Sequence, residues 1–279
     1  MNKELKKLSL WLNTNRLALN ISKTNFVIFA GKNKPLRNIT LLINKKALNQ
    51  NEYVKYLGVL VDSKLTFSYH INSITKKVSQ IVGQMYNIRN SVNNETLYLI
   101  YYSLIYPHLL YGIPIWGNAV QVYLKPIKSL QKKAIRLILN KAKNIQILFE
   151  LPGDPITYWY VDTFQKEPSG PLFKSLNILK VEDIYKLMVL NFVYECKNKL
   201  NPNQFHSYFK HNEARIHNTA AIRNNNLITP TVRTTTYGLK SIKYSGSILW
   251  NNLPYSEKCY KPSKKNFSTS IKRHIINMY

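Results

Sequence analysis

The chain has so few acidic residues, 13 Asp and Glu in 279 positions, that each can be weighed for chemistry. Phosphoryl transfer by two divalent ions about 4 Å apart needs clustered carboxylates to neutralise and fix them. The only adjacent acids are Glu182 and Asp183, at the predicted start of a helix, where the helix dipole and first-turn amides account for them. Asp62, in the stretch YLGVLVDS (residues 56–63), stands alone, with Glu52 too far along the strand to be assumed a partner. The histidines at 70, 108, 206, 211, 217 and 274 are scattered; His206 and His211 have no third ligand at motif spacing, which argues against zinc. Cys196 and Cys259 are too few for a disulfide framework and read as reduced thiols. Phosphate-binding glycine loops, G-x-S-x-G and H-E-x-x-H are all absent. These residues describe a binder, with no metal, cofactor or small-molecule site predicted.

Charge says what would be bound. Lys and Arg number 40, giving a formal charge of +27, and such a field draws a polyanion, for a globular chain usually nucleic acid. Asn, Ile and Tyr are abundant too, so a coding bias toward lysine can supply part of the charge. No membrane partner is expected: the longest apolar candidate, residues 98–116, is interrupted by Pro107, Pro114 and several hydroxyls. Residues 1–20 carry charges throughout and lack the apolar core of a leader.

The elements that must carry these residues fall into blocks. Helical spacing of Leu5, Leu8, Leu12 and Leu19 covers residues 1–20, followed by the strand-like NFVIFA, the turn-rich GKNKP, ITLLI and an extended run ending in VKYLGVLVD, an α+β pattern. From His70, Ile71, Ile74, Val78, Ile81, Met85 and Ile88 form the seam of a long helix, with Lys76, Lys77 and Arg89 off it. A second helix is predicted over 95–105, and a third from Pro126 as first helical residue, with Ile127, Leu130, Ala134 and Leu137 inward. Lys128, Lys132 and Arg136 then share another face. Residues 96–149 contain no acid, which removes neighbouring salt bridges and leaves backbone phosphates as the expected partners. Residues 141–170, with Pro152, Pro155, Pro168 and four acids, read as a linker or insertion. A helix resumes in VEDIYKLMVLNFVYECKNK, and beyond Cys196 there are 14 basic residues against Glu213 and Glu257.

In order along the chain, LNISKTNFVIF, VKYLGVLVDSKLTFSYHINSITKKVSQIVGQM, LIYYSLIYPHLLYGIPIWG, LQKKAIRLI, PLFKSLNILKVEDIYKL and TVRTTTYGLKSIKYSGSILWNNLP resemble the reverse transcriptases of non-LTR retrotransposons, most like the jockey and CR1 group. The resemblance leaves out roughly residues 141–163. It implies an α+β chain: a palm remnant over 1–66 with a small antiparallel sheet and a helix, a helical thumb-like bundle over 67–140, the linker or insertion over 141–170, and a basic, mostly helical or irregular C-terminal region over 171–279.

It also implies roles. Lys23 of NISKT corresponds to a lysine near the incoming nucleotide that can protonate the pyrophosphate leaving group; its other reading is a turn before a strand. Tyr56, Leu57 and Gly58 match the primer grip. Lys76, Lys77, Arg89, Lys128, Lys132, Lys133 and Arg136 are the thumb candidates for backbone contact. In the family the aspartate motifs that hold magnesium lie before the point corresponding to Met1, and the C-terminal zinc knuckle of some relatives is not matched by KCYKPSKKNF. The expectation is a truncated RNA-directed DNA polymerase that keeps template–primer-binding parts and is inactive alone, its magnesium belonging to palm residues outside the chain. The alternative is a non-enzymatic nucleic-acid-binding protein derived from the element. Partners are RNA, DNA or an RNA–DNA hybrid, in nucleus or cytoplasm. Unpaired strand edges and poor solubility are expected of such a palm remnant.

Overall fold

The first helix is shorter than its apolar spacing predicts. In the computed structural model, which describes residues 2–29, 31, 39–139, 168–210, 225–258 and 263–279, α1 runs Asn2–Thr14 and the chain leaves it through Arg16 in left-handed backbone (φ 56°). Leu5 and Leu19 reach a small core of Leu41, Ile43 and Leu48, joined by Ile21 and Phe26. Leu8 was expected inside but is exposed, as are Leu10 and Trp11. The described residues divide into two compact units, Met1–Asn72 and Ser73–Tyr279.

In the first unit the strands are short: β1 Asn25–Phe26, β2 Leu42–Ile43, β3 Lys46–Ala47, β4 Asn49–Gln50, β5 Tyr53–Tyr56 and β6 Val59–Asp62. They pair as three separate two-stranded ladders, where one antiparallel sheet was expected. β2–β3 and β5–β6 are antiparallel hairpins, but β1–β4 is parallel. The exception has a physical reason. More than twenty residues separate β1 from β4, long enough for the crossover that parallel strands require, whereas Asn44–Lys45, both at positive φ, close β2–β3 in a two-residue turn.

The second unit is helical. α2 (Ser68–Ile88) crosses the boundary between the units; α3 (Asn94–Ile100) starts on the Asn93 cap, whose side chain accepts from Thr96 N, and continues through a π turn at Tyr101–Ile105 into α4 (Tyr106–Leu110) and α5 (Ile113–Trp116). α6 spans Gln121–Ile138, so Pro126 lies inside that helix and does not start it; its missing N–H leaves the Val122 carbonyl without the usual helical donor. There follow α7 (Gly170–Ser175), α8 (Val181–Lys197), α9 (Ile242–Asn251), α10 (Tyr255–Lys258) and α11 (Lys264–Asn277).

α8 is the centre of this unit. It is buried on nearly every face, from Val181 and Ile184 to Val193 and Cys196, and packs against α4, α5, α6, α9 and α11. Gly246 lets α9 approach closely: a Cβ there would stand 2.9 Å from the Phe209 ring and 3.0 Å from Val193. Trp116, Trp250 and Phe267 are fully buried around α8.

Helices before and after residues 140–167 are tied together by Gln131, which is 1% exposed. Its Nε2 donates to Tyr101 Oη and to the Leu179 carbonyl, both at 2.9 Å, while its Oε1 accepts from Val181 N at 3.0 Å. Val181 opens α8, so the side chain of α6 supplies the acceptor that the first turn of α8 otherwise lacks. Among the described residues no helix is long and apolar enough to cross a membrane.

Burial raises the phenol pKa of Tyr101, Tyr102, Tyr106, Tyr185 and Tyr279 above the ordinary 10.0. Above pH 10 the unfolded chain releases these protons and the folded chain keeps them, so stability falls as pH rises past that value. Titration followed at the phenolate absorbance is expected to be biphasic, with a delayed step coinciding with loss of helical circular dichroism. A single step completed before unfolding would contradict it.

Candidate nucleic-acid interface

The β5–β6 hairpin turns on Leu57 (φ 44°) and Gly58 (φ 84°), both left-handed, which is the geometry of a two-residue type I′ turn. Glycine accepts it freely; a leucine held there costs about 1–2 kcal/mol. Tyr56 and Leu57 project from the tip, 67% and 75% exposed. Leu57→Asn is expected to raise the stability of the chain by about 1 kcal/mol in urea unfolding, because Asn tolerates this backbone.

Asp62, at the base of the same hairpin, is 4% exposed. Its Oδ1 accepts from Lys64 N (3.1 Å) and Thr66 N (3.0 Å), and its Oδ2 from Phe67 N (2.5 Å). That loop includes Leu65 and Phe67, both at positive φ. The carboxylate therefore fixes an unusual loop and opens the way into α2. Glu52 also serves structure, accepting from the Tyr69 hydroxyl at 3.1 Å while Tyr69 stacks on Tyr53. Lys23 is exposed in a single 3₁₀ turn, Ile21–Lys23, with its N–H donated to Asn20 Oδ1, directly before β1.

In the second unit the cations of α6 separate by position around the helix. At about 100° per residue, Leu124, Ile127, Leu130, Gln131, Ala134, Ile135, Leu137 and Ile138 cover a wide inner arc. Lys133 was expected to contact phosphate, but it lies at one edge of that arc and is 7% exposed, which leaves it little surface to offer. Lys128, at the other edge, pairs with Glu182 of α8 and with Gln121. An acidic partner exists after all, brought from 54 residues along the chain. Lys125 and Lys132 are exposed on the outward face, with Arg136 half-buried beside them in the same strip. Lys125 belongs to it by spacing, seven residues before Lys132, which in turn lies four before Arg136.

On α2, Lys76 and Lys77 are exposed, and the Lys77 charge, after burial, helps hold the His108 pKa below its ordinary value. Arg89 folds back instead: its guanidinium lies 3.7 Å from the Tyr86 ring centroid and donates to the Tyr86 carbonyl at 2.5 Å. The buried apolar positions of α2 are Ile71, Ile74, Val78, Val82 and Met85, so Val82 takes the place expected for Ile81, and Ile88 is 36% exposed.

Among the described residues no group of three His, Cys, Asp or Glu could hold a metal ion. The adjacent pair is occupied: Glu182 with Lys128, and Asp183 with Lys186 (2.7 Å) and the Tyr279 hydroxyl (2.6 Å). The Cys196 thiol is buried, which pushes its pKa up and away from nucleophilic use. Cys259, His211 and His217 lie outside the described residues, as does most of the predicted linker.

An α+β chain with an exposed hairpin tip and cationic helix faces is thus what the structure defines, and over about half its length it is similar to RNA-directed DNA polymerases of transposable elements. It is 32% identical over 135 residues to a Drosophila melanogaster protein described as a probable RNA-directed DNA polymerase from transposon X-element, covering 47% of this chain and 15% of that one. It is 31% identical over 131 residues to the RNA-directed DNA polymerase from mobile element jockey of the same species, covering 46% and 14%. With the jockey polymerase of Drosophila funebris the identity is 30% over 150 residues, covering 50% and 16%. The matched stretch is thus a small part of each relative. No family model and no solved structure matches.

Proposed function

We propose that this chain is a template–primer-holding part of a non-LTR retrotransposon reverse transcriptase, with nucleotide transfer carried by acidic groups that the described residues do not supply. In this reading residues 1–66 belong to the palm, the tip at Tyr56, Leu57 and Gly58 is the primer grip, and residues 67–140 are the thumb. Lys76, Lys77, Lys125, Lys132 and Arg136 contact the backbone of an RNA–DNA hybrid. The observation that carries it is the outward face of α6, on which Lys125 and Lys132 are both exposed and lie about 20° apart around the helix. Asp62 supports the same reading, because its carboxylate is committed to three backbone amides.

Fluorescence anisotropy with a labelled hybrid tests it. Affinity is expected to fall steeply with salt, and Lys132→Glu to weaken binding several-fold and lower the log–log salt slope by about one. Lys133→Gln is expected to lower the unfolding midpoint and leave the slope unchanged. No primer extension is expected on primed poly(rA) with magnesium. Extension that disappears when a carboxylate of this chain is removed would overturn the holding role.

A further inference from the structure

The basic C-terminal region holds a second surface whose chemistry differs from that of the α6 strip. Residues 231–243, TVRTTTYGLKSIK, lead into α9. Thr231, Arg233, Thr234, Thr235 and Lys243 are exposed, and Tyr237 is 42% exposed. The segment is shaped. It closes a π turn at Thr235–Leu239, with Leu239 N donating to the Thr234 carbonyl (3.0 Å), Lys240 N to Thr235 (3.2 Å) and Ser241 N to Gly238 (2.9 Å). A Cβ at Gly238 would stand 2.8 Å from Val232, so only glycine lets the two arms of the turn close this tightly. Lys243 is set over the Tyr208 ring at 5.5 Å, and the chain contains no acidic residue from 214 to 256.

Cations and hydroxyls alone would fit any phosphate backbone. An exposed tyrosine narrows the choice. A duplex hides its base faces, whereas a single strand offers them for stacking beside a cationic track. The other exposed residues of α6 are Gln121, Val122 and Ser129, none of them aromatic. We infer that residues 231–243 form a binding surface for single-stranded nucleic acid, with Tyr237 as the stacking platform and Arg233 and Lys243 as the backbone contacts. This shares with the proposed function only the premise that the ligand is a polynucleotide.

The test uses the whole chain and two labelled probes, a uridine homopolymer of about twenty nucleotides and a blunt RNA–DNA hybrid of similar length. Tyr237→Ala is expected to weaken single-strand binding about tenfold and to leave hybrid binding within about twofold, while Tyr237→Phe keeps both. Arg233→Ala with Lys243→Ala is expected to lower the single-strand salt slope by about 1.4, the contribution of two phosphates. Circular dichroism confirms that each variant is folded. Single-strand affinity unchanged in Tyr237→Ala, or equal losses on both probes, would overturn the inference. Hybrid binding unaffected by Lys132→Glu, with the Tyr237 result as expected, would instead remove the proposed function and leave this surface standing.

Discussion

Gln131→Ala is expected to lower the stability of the second unit by about 4 kcal/mol. The substitution strands three groups at once in a region with little access to water: the Tyr101 hydroxyl, the Leu179 carbonyl and the Val181 amide. Each buried polar group left without a partner costs about 1–3 kcal/mol, and the lost side-chain volume adds to it. Gln131→Glu should rescue only part. A carboxylate still accepts from Val181 and from the tyrosine, but it meets the Leu179 carbonyl as a second acceptor. Urea unfolding gives the magnitude, and amide exchange at Val181 gives the location: protection there should fall first. A loss below about 1 kcal/mol in Gln131→Ala would show that α6 and α8 are joined by apolar packing alone.

Asp62→Ala is expected to cost about 3 kcal/mol in the first unit, and Asp62→Asn about half as much, since Asn keeps one acceptor oxygen for the three amides. The loop they close contains Leu65 and Phe67 in left-handed backbone, a conformation that persists only while its surroundings hold it. Hybrid binding should therefore weaken in step with unfolding of the hairpin and recover at lower temperature. A catalytic or metal-binding carboxylate would behave differently, losing function in the folded protein and changing its dependence on magnesium. Unchanged unfolding of Asp62→Ala would refute the structural role.

How far these roles could be read from sequence differs from residue to residue. The α2 seam was legible at Ile71, Ile74, Val78 and Met85, yet failed at Ile81 and Ile88. A straight helix drifts by about 20° per heptad against a seven-residue repeat, so by the third turn the inner face has moved toward Val82. Lysine charge on α6 was legible, but not its fate. Lys132 and Lys133 are neighbours in sequence and about 100° apart on the helix, which is enough to put one in solvent and the other against the core. Glu182 was read correctly as a first-turn carboxylate; its pairing with Lys128 depends on a long-range fold that local spacing does not contain. The hairpin at Leu57–Gly58 was found through resemblance, and the amides that occupy Asp62 lie within five residues of it, in a loop whose left-handed turns no propensity announces. The parallel β1–β4 ladder was missed because two-residue strands have no measurable alternation.

The clamp between α6 and α8 also bears on the order in which these helices form. With Gln131 fixing Leu179 and Val181, and Lys128 paired with Glu182, the start of α8 is held by side chains from 48 to 54 residues earlier in the chain. Contacts that distant in sequence are made only after the entropy of bringing their ends together has been spent, so the first turn of α8 should gain amide-exchange protection together with α6 and not before it.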